Sequence, residues 1–223
     1  MIRSEIVDTF RQICPEIPSR VISDTTLHAF LQSGDKNFCA ITRCIVDQDG
    51  TTITTTLNDR YFNLETEITN FYDIDTWPGS GVLYNGKKLD KTTMAELDID
   101  NPNWRANAVG IPKKWYRRGK YLYLDRPIDS AADDLIIYAV LISNDWNADV
   151  APYNQWTSLE PYHEAMVLYL IKRAKAKVGK PEEATAAENE YLSYCKWAKS
   201  QIGGNKFGAI RFVPRISLRG RRR

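Results

Sequence analysis

The chain has 223 residues, with 30 Lys and Arg against 28 Asp and Glu, a net charge of +2 and 43% hydrophobic residues. That length allows one or two domains with a sizeable core. No apolar run approaches the roughly 18 residues of a membrane span, and the opening Met1-Ile2-Arg3-Ser4-Glu5 has no hydrophobic signal region, so a cytosolic product without membrane contact is expected. The four cysteines (Cys14, Cys39, Cys44, Cys195) fit reduced, semi-buried thiols better than a disulfide framework.

Residues 4–14 read as a first helix. Ile6, Val7, Phe10, Ile13 and Cys14 fall on one face at helical spacing, and Pro15 and Pro18 stop it. A second helix starts from a cap at Asp24 or Thr25; Leu27, Phe30 and Leu31 begin its stripe, and Phe38, Ile41 and Ile45 continue it beyond a doubtful passage at Gly34. Then the pattern changes. Asp49-Gly50 is a turn signal, and residues 51–57, 68–74, 81–89, 121–125 and 135–141 read as strands separated by turn chemistry. Asn85-Gly86 marks a type I′ hairpin, and residues 92–97 make one helical turn. With no long helix between the strands, a small antiparallel sandwich or barrel is expected in place of a parallel sheet.

Two helical stripes follow. Leu159, Tyr162, Met166, Tyr169, Leu170, Ala174 and Val178 form one, with Pro161 in its first turn; Gly179-Lys180-Pro181 breaks it, and Ala184, Ala187, Tyr191, Cys195, Ala198 and Ile202 form the other. The expected fold class is α+β: an antiparallel helical bundle with a small antiparallel β-domain inserted between helices 2 and 3, plus an extended C-terminal arm. The expected divisions are 1–46 for the first helices, 47–150 for the β-domain, 151–204 for the closing helical hairpin, which a Gly203-Gly204 break ends, and 205–223 for the arm.

Little in the chain points to catalysis. Cys39 and Cys44 are too loosely spaced for a common zinc knuckle, and no second Cys or His pair follows. The Asp-rich clusters around Asp73, Asp98 and Asp133 lack the calcium-loop pattern with its closing Glu. Gly79-Ser80-Gly81 lacks the Lys and the following helix of a phosphate loop. His28 and His163 are the two histidines, and a hydrolase built on either is the least favoured reading. No enzyme, metal site or cofactor is expected.

Two basic segments remain. Lys113-Lys114-Trp115-Tyr116-Arg117-Arg118 interleaves cations with aromatics, as phosphate contact with base stacking would need. The same pattern suits a hairpin whose aromatics pack inward while the charges snorkel. Residues 207–223 carry Arg211, Arg215, Arg219, Arg221, Arg222 and Arg223 and no carboxylate. In them Ile210, Phe212, Pro214, Ile216 and Leu218 alternate with mostly polar residues, which is the strand period. Lys206 and these six arginines leave residues 1–205 with 23 basic and 28 acidic side chains, a balance of −5. A mildly acidic body with a basic arm suggests an anionic partner, either nucleic acid or an acidic protein surface.

From Gly81 to Trp104 the sequence Gly-Val-Leu-Tyr-Asn-Gly-Lys-Lys-Leu-Asp…Met-Ala-Glu-Leu-Asp…Asn-Pro-Asn-Trp resembles tailed-phage head-to-tail adaptor (connector) proteins. The likeness continues through Gly110-Ile111-Pro112-Lys113-Lys114-Trp115-Tyr116, Leu122-Tyr123-Leu124-Asp125-Arg126-Pro127, Leu135-Ile136-Ile137-Tyr138-Ala139 and Glu160-Pro161-Tyr162-His163-Glu164-Ala165. It implies a virion protein of the neck, assembled in the host cytoplasm as a homo-oligomeric ring of about twelve copies closed by head-to-tail contacts. The ring would sit below the portal protein, meet tail or nozzle proteins and line the channel through which packaged DNA leaves. It also implies that the arm binds a neighbouring ring, with Ile210, Phe212, Ile216 and Leu218 filling pockets along a sheet edge and Arg211, Arg215, Arg219, Arg221, Arg222 and Arg223 meeting acidic groups or DNA. Pro214 removes one donor, so any such pairing is interrupted there. The family brings no catalytic residue with it. The alternative is a nucleic-acid-binding module using the arm's arginines with Lys113, Lys114, Arg117 and Arg118.

Overall fold

In the computed structural model, which describes residues 1–76, 79–129, 134–146 and 162–206, helix α1 (Arg3–Ile13) buries Ile6, Val7 and Phe10. Helix α2 (Asp24–Thr42) is capped by Ser23, whose hydroxyl accepts from Thr26 N–H at 3.3 Å. It runs straight through Gly34 and ends at Arg43, which adopts a left-handed conformation with φ of 56°. Ile45 therefore leaves the helix that its spacing suggested and opens strand β1 (Ile45–Val46).

The middle of the chain adds β2 (Thr51–Thr54), β3 (Tyr61–Asn63), the one-turn helix α3 (Leu64–Glu67), β4 (Phe71–Ile74), β5 (Val82–Tyr84), β6 (Lys87–Lys88) and β7 (Asp90–Lys91). Asn85 and Gly86, at φ of 46° and 73°, turn β5 into β6 as the Asn-Gly pair requires. Helix α4 (Met94–Asp100) starts at a capping box in which Thr93 and Glu96 satisfy each other's backbone N–H. Then come β8 (Lys114–Arg118), β9 (Tyr121–Leu124), β10 (Asp134–Ile137) and β11 (Ala139–Leu141).

These strands do not form one small antiparallel β-domain on a helical bundle, and that expectation is corrected. Among the described residues they make three sheets, ordered β1-β11-β4, β2-β10-β5-β6 and β3-β9-β8-β7, beside six helices, in a mixed α+β fold. Two local events cause the difference. Residues 134–141 split at Tyr138, whose N–H donates to Gly81 C=O at 2.9 Å while its C=O accepts from Asp75 N–H at 2.7 Å. This detour sends β10 and β11 into different sheets. Beyond β6 the chain also turns away, so that β7 pairs in parallel with β8.

Helices α5 (Glu164–Lys177) and α6 (Pro181–Lys206) form the closing hairpin. Gly203-Gly204 does not interrupt α6, which extends to Lys206. Pro161 lies outside the described residues. The helices enclose one apolar cluster, including Phe10, Leu31, Phe38, Met166, Leu170 and Tyr191. A second fills the space between the sheets with Leu64, Val82, Tyr84, Trp115, Leu122 and Leu135, and Leu141 packs against both. At this seam Asp73 on β4 pairs with Arg43 from α2 and with Arg117 from β8, the latter at 2.6 Å.

Candidate docking surfaces

The sheet β3-β9-β8-β7 has one face in the core and one outside. Phe62, Leu122, Leu124 and Trp115 point inward. The intervening residues make two cross-strand rows on the outer face: Tyr61, Tyr123 and Tyr116, then Asn63, Tyr121 and Arg118. Tyr116 stacks on Tyr123 with ring centroids 5.0 Å apart and planes 9° from parallel. Tyr61 lies 6.0 Å from Tyr123 and 6.2 Å from Tyr121.

A small third cluster covers the Tyr116 end of this face, and Tyr123 packs against it. Leu97 from α4 and Trp104 pack on Tyr116, with Trp104 edge-on at 5.7 Å. The Trp104 indole donates to Asp98 at 2.7 Å, and Arg105 donates to the same carboxylate oxygen at 2.5 Å. These bonds, that from Arg105 first, hold the Asp98 carboxyl below the usual carboxylate range. Arg60 and Arg105 both lie over the indole, their guanidinium carbons 4.7 and 4.6 Å from the ring centroid. Arg60 also donates to the carbonyls of Arg105 and Trp104 at 2.5 and 2.8 Å. The Leu-Asp…Trp signature that drew attention in the sequence is thus a clamp fastening α4 to the outer face.

Beyond α4, at the β7 end, a groove of 420 Å³ is lined by Asp90, Lys91, Thr92, Glu96, Ile99, Asp100 and Lys114. Asp90 lies opposite Lys114 across the parallel pair. The Lys114 ammonium donates to Asp100 at 2.6 Å, which raises its pKa.

The structure does not gather the four cations of the 113–118 run. Lys113 is exposed, and its backbone carbonyl accepts from Asp90. Lys114 is engaged with Asp100, and Arg117 points to the other face, where it binds Asp73, the Gly119 carbonyl at 2.6 Å and the ring of Phe71 at 4.9 Å. Arg118 alone of the four stands in an aromatic row of the outer face. Trp115 and Tyr116 are buried. All the arm residues singled out, Ile210 to Arg223, lie outside the described residues.

Sequence reasoning missed β3 and with it Tyr61, a residue 62% exposed, and it passed over Ile99, 80% exposed at the rim of the groove. The alternation in Tyr61-Phe62-Asn63 was a strand signal, but three residues are too few to stand out. For Ile99 the signal was an apolar residue among Asp98, Asp100 and Asn101, which fits no buried helical stripe. No curated protein matches the chain. The family model of the SU10 adaptor protein matches residues 1–198, a span that includes both large cores and the outer sheet face. The chain therefore belongs to the SU10 adaptor protein family, phage structural adaptors associated with portal and tail proteins at the virion neck.

Proposed function

We propose that this adaptor assembles in the host cytoplasm as a ring of about twelve copies beneath the portal, closed by head-to-tail contacts, and that DNA leaves through its centre. Residues 205–223 act as the latch. Their strand-like alternation and seven positive charges suit a sheet edge with acidic neighbours on the portal. Ile210, Phe212, Ile216 and Leu218 occupy pockets there, while Arg211, Arg215, Arg219, Arg221, Arg222 and Arg223 meet carboxylates. A channel must let DNA slide, and the balance of −5 over residues 1–205 keeps the body from gripping phosphate.

The observation that carries this reading is the family match over residues 1–198, followed by a basic, apolar-alternating segment that the match does not include. The test is co-assembly with portal rings of the same phage, comparing the full chain with one ending at Lys206, the last residue of α6. Stoichiometric capture by the full chain and its loss on truncation is the expected result. Equal capture of both forms would remove the latch. DNA binding by the full chain that weakens steeply with salt, without portal capture, would favour the nucleic-acid-binding module.

A further inference from the structure

The sheet β3-β9-β8-β7 ends on one side at β3, whose single partner strand among the described residues is β9. Leu124 N–H donates to Arg60 C=O, and Leu64 N–H to Lys120 C=O, both at 2.9 Å. With Tyr61 opposite Tyr123 and Asn63 opposite Tyr121, this pattern turns the peptide groups of Phe62 toward β9 and those of Tyr61 and Asn63 away from it. The Asn63 C=O accepts from the Thr66 hydroxyl at 2.9 Å. The N–H and C=O of Tyr61 face the open edge. Such an edge is a template for a further strand unless charge, a bulge or a cover blunts it, and Tyr-Phe-Asn carries no charge. By contrast β6, which ends another sheet, is Lys87-Lys88 and repels a cationic strand.

The border of this edge is acidic. Asp59 precedes β3, and the exposed Glu65 and Glu67 follow it in α3. Asp129, also exposed, comes next after Ile128, whose N–H donates to Asp59 C=O at 2.9 Å. Of the two cations here, Lys120 faces Glu65 at 3.9 Å, and the Arg60 guanidinium is turned to the carbonyls of Arg105 and Trp104. Four carboxylates against two cations leave these six groups at −2. Residues 207–223 supply the complement: six arginines, no carboxylate, and an apolar set (Ile210, Phe212, Pro214, Ile216, Leu218) at the strand period. Added at a sheet edge, such a segment gains affinity from main-chain pairing and selectivity from alternate side chains, and Pro214 is tolerated there. Extended, these residues span about 60 Å, against a diameter of roughly 45 Å for a compact body of this length. The chain's own edge is therefore within reach, and the tether presents the arm to it at an effective concentration of about millimolar.

We propose that in the free adaptor the arm, residues 207–223, folds back and adds a strand to the open edge of β3 in the same chain, its arginines meeting the carboxylates of Asp59, Glu65, Glu67 and Asp129. The proposal rests on the latch reading above and gives the latch a parked position. The portal captures the arm by displacing it from β3.

The test uses the full chain carrying the photoreactive substitution Phe212→benzoylphenylalanine, illuminated alone and with portal rings of the same phage, with adducts mapped by peptide mass spectrometry. The expected adducts fall on residues 59–67, stay within one chain in a mixture of heavy- and light-isotope protein, and drop several-fold when portal rings are added. Glu65→Lys combined with Glu67→Lys should lower the yield several-fold, with an unchanged melting temperature verifying the fold, and Glu65→Asp with Glu67→Asp should retain it. Without any cross-linker, the Tyr61 amide of the full chain should exchange at least about tenfold more slowly than a free peptide amide. Adducts scattered over the body, heavy–light hybrids, a freely exchanging Tyr61 amide, or portal capture that leaves the β3 adducts undiminished would each overturn the parked arm, and portal capture of the full chain would leave the latch reading standing. Adducts at β3 with no portal capture would uphold the fold-back contact and overturn the latch reading.

Discussion

The ring of Tyr169 lies directly on the α-carbon of Gly34, so that a β-carbon at position 34 would stand 2.7 Å from Cδ1 and 3.0 Å from Cγ of the tyrosine. Tyr169 has little room to retreat. Its hydroxyl lies 3.2 Å from that of Ser33, its ring meets Tyr191 edge-on at 5.3 Å, and the Lys172 ammonium sits over it at 5.6 Å. Gly34 is accordingly a packing residue that lets α2 and α5 approach closely, in an element whose propensity alone would favour alanine.

Gly34→Ala should therefore destabilise the protein. Alanine gains about 1 kcal/mol in helix propensity, but inserting a methyl into a filled contact costs about 1–3 kcal/mol. The expected outcome is a melting temperature lower by a few degrees. In a Tyr169→Ala background the clash is absent, and Gly34→Ala should turn stabilising. A double-mutant cycle by thermal denaturation reads that change of sign.

The N-terminus of α4 depends on one side chain. Thr93 accepts from Glu96 N–H at 3.2 Å, and the Glu96 carboxylate answers by accepting from Thr93 N–H at 2.8 Å. That backbone bond, with further bonds from the threonine hydroxyls, holds the Glu96 carboxyl below its ordinary range. Thr93→Ala should cost about 1 kcal/mol and raise amide exchange over 94–100 before it does so elsewhere. Thr93→Ser should restore most of the loss. Equal exchange over α4 in the wild type and Thr93→Ala would refute this role for the cap.

All four cysteines are free and buried. Burial pushes the Cys14 thiol up and the Cys195 thiol up to about 11, so neither offers thiolate to a reagent near neutral pH. In the folded protein an aromatic disulfide reagent should label none of them quickly, and all four should react in denaturant. Labelling of Cys195 much faster than global unfolding would require local opening of α6.

Composition and spacing made the long elements legible, because α1, α2, α5 and α6 each carry an apolar stripe deep enough to read. The sheets were harder, for reasons that are tertiary. Residues 134–141 look like one apolar strand, and only the partners of Tyr138 on either side reveal the break. Ile45 continues the α2 period, yet the left-handed turn at Arg43 lets Arg43 reach Asp73 and redirects the chain. The 113–118 run was ambiguous because a strand distributes consecutive cations to opposite faces. Ion pairing with Asp100 and Asp73, which sequence distance conceals, then engages two of them. The arm rests on pattern alone.

Asp35 gives the fold a pH response. Its side chain is buried on α2 beside Ser143, with Oδ1 lacking a hydrogen-bond partner, and its neighbour Lys36 is bonded to Asp145 at 2.6 Å. Desolvation pushes the carboxyl up from 3.8 to about 7, against smaller lowering effects of Ser143 and Lys36. The unfolded chain loses this proton near pH 4, whereas the native state holds it to about pH 7. Stability from this group is therefore fully present below about pH 4, declines as pH rises to about 7 and is flat beyond, with a total change of a few kcal/mol. Asp35→Asn keeps the shape without the charge. It should flatten this part of the profile and make the protein more stable than wild type at pH 8, while near pH 4 the two should be close. Denaturant titrations at several pH values measure the difference, and parallel profiles for the two proteins would show that the Asp35 carboxyl is not raised in the native state.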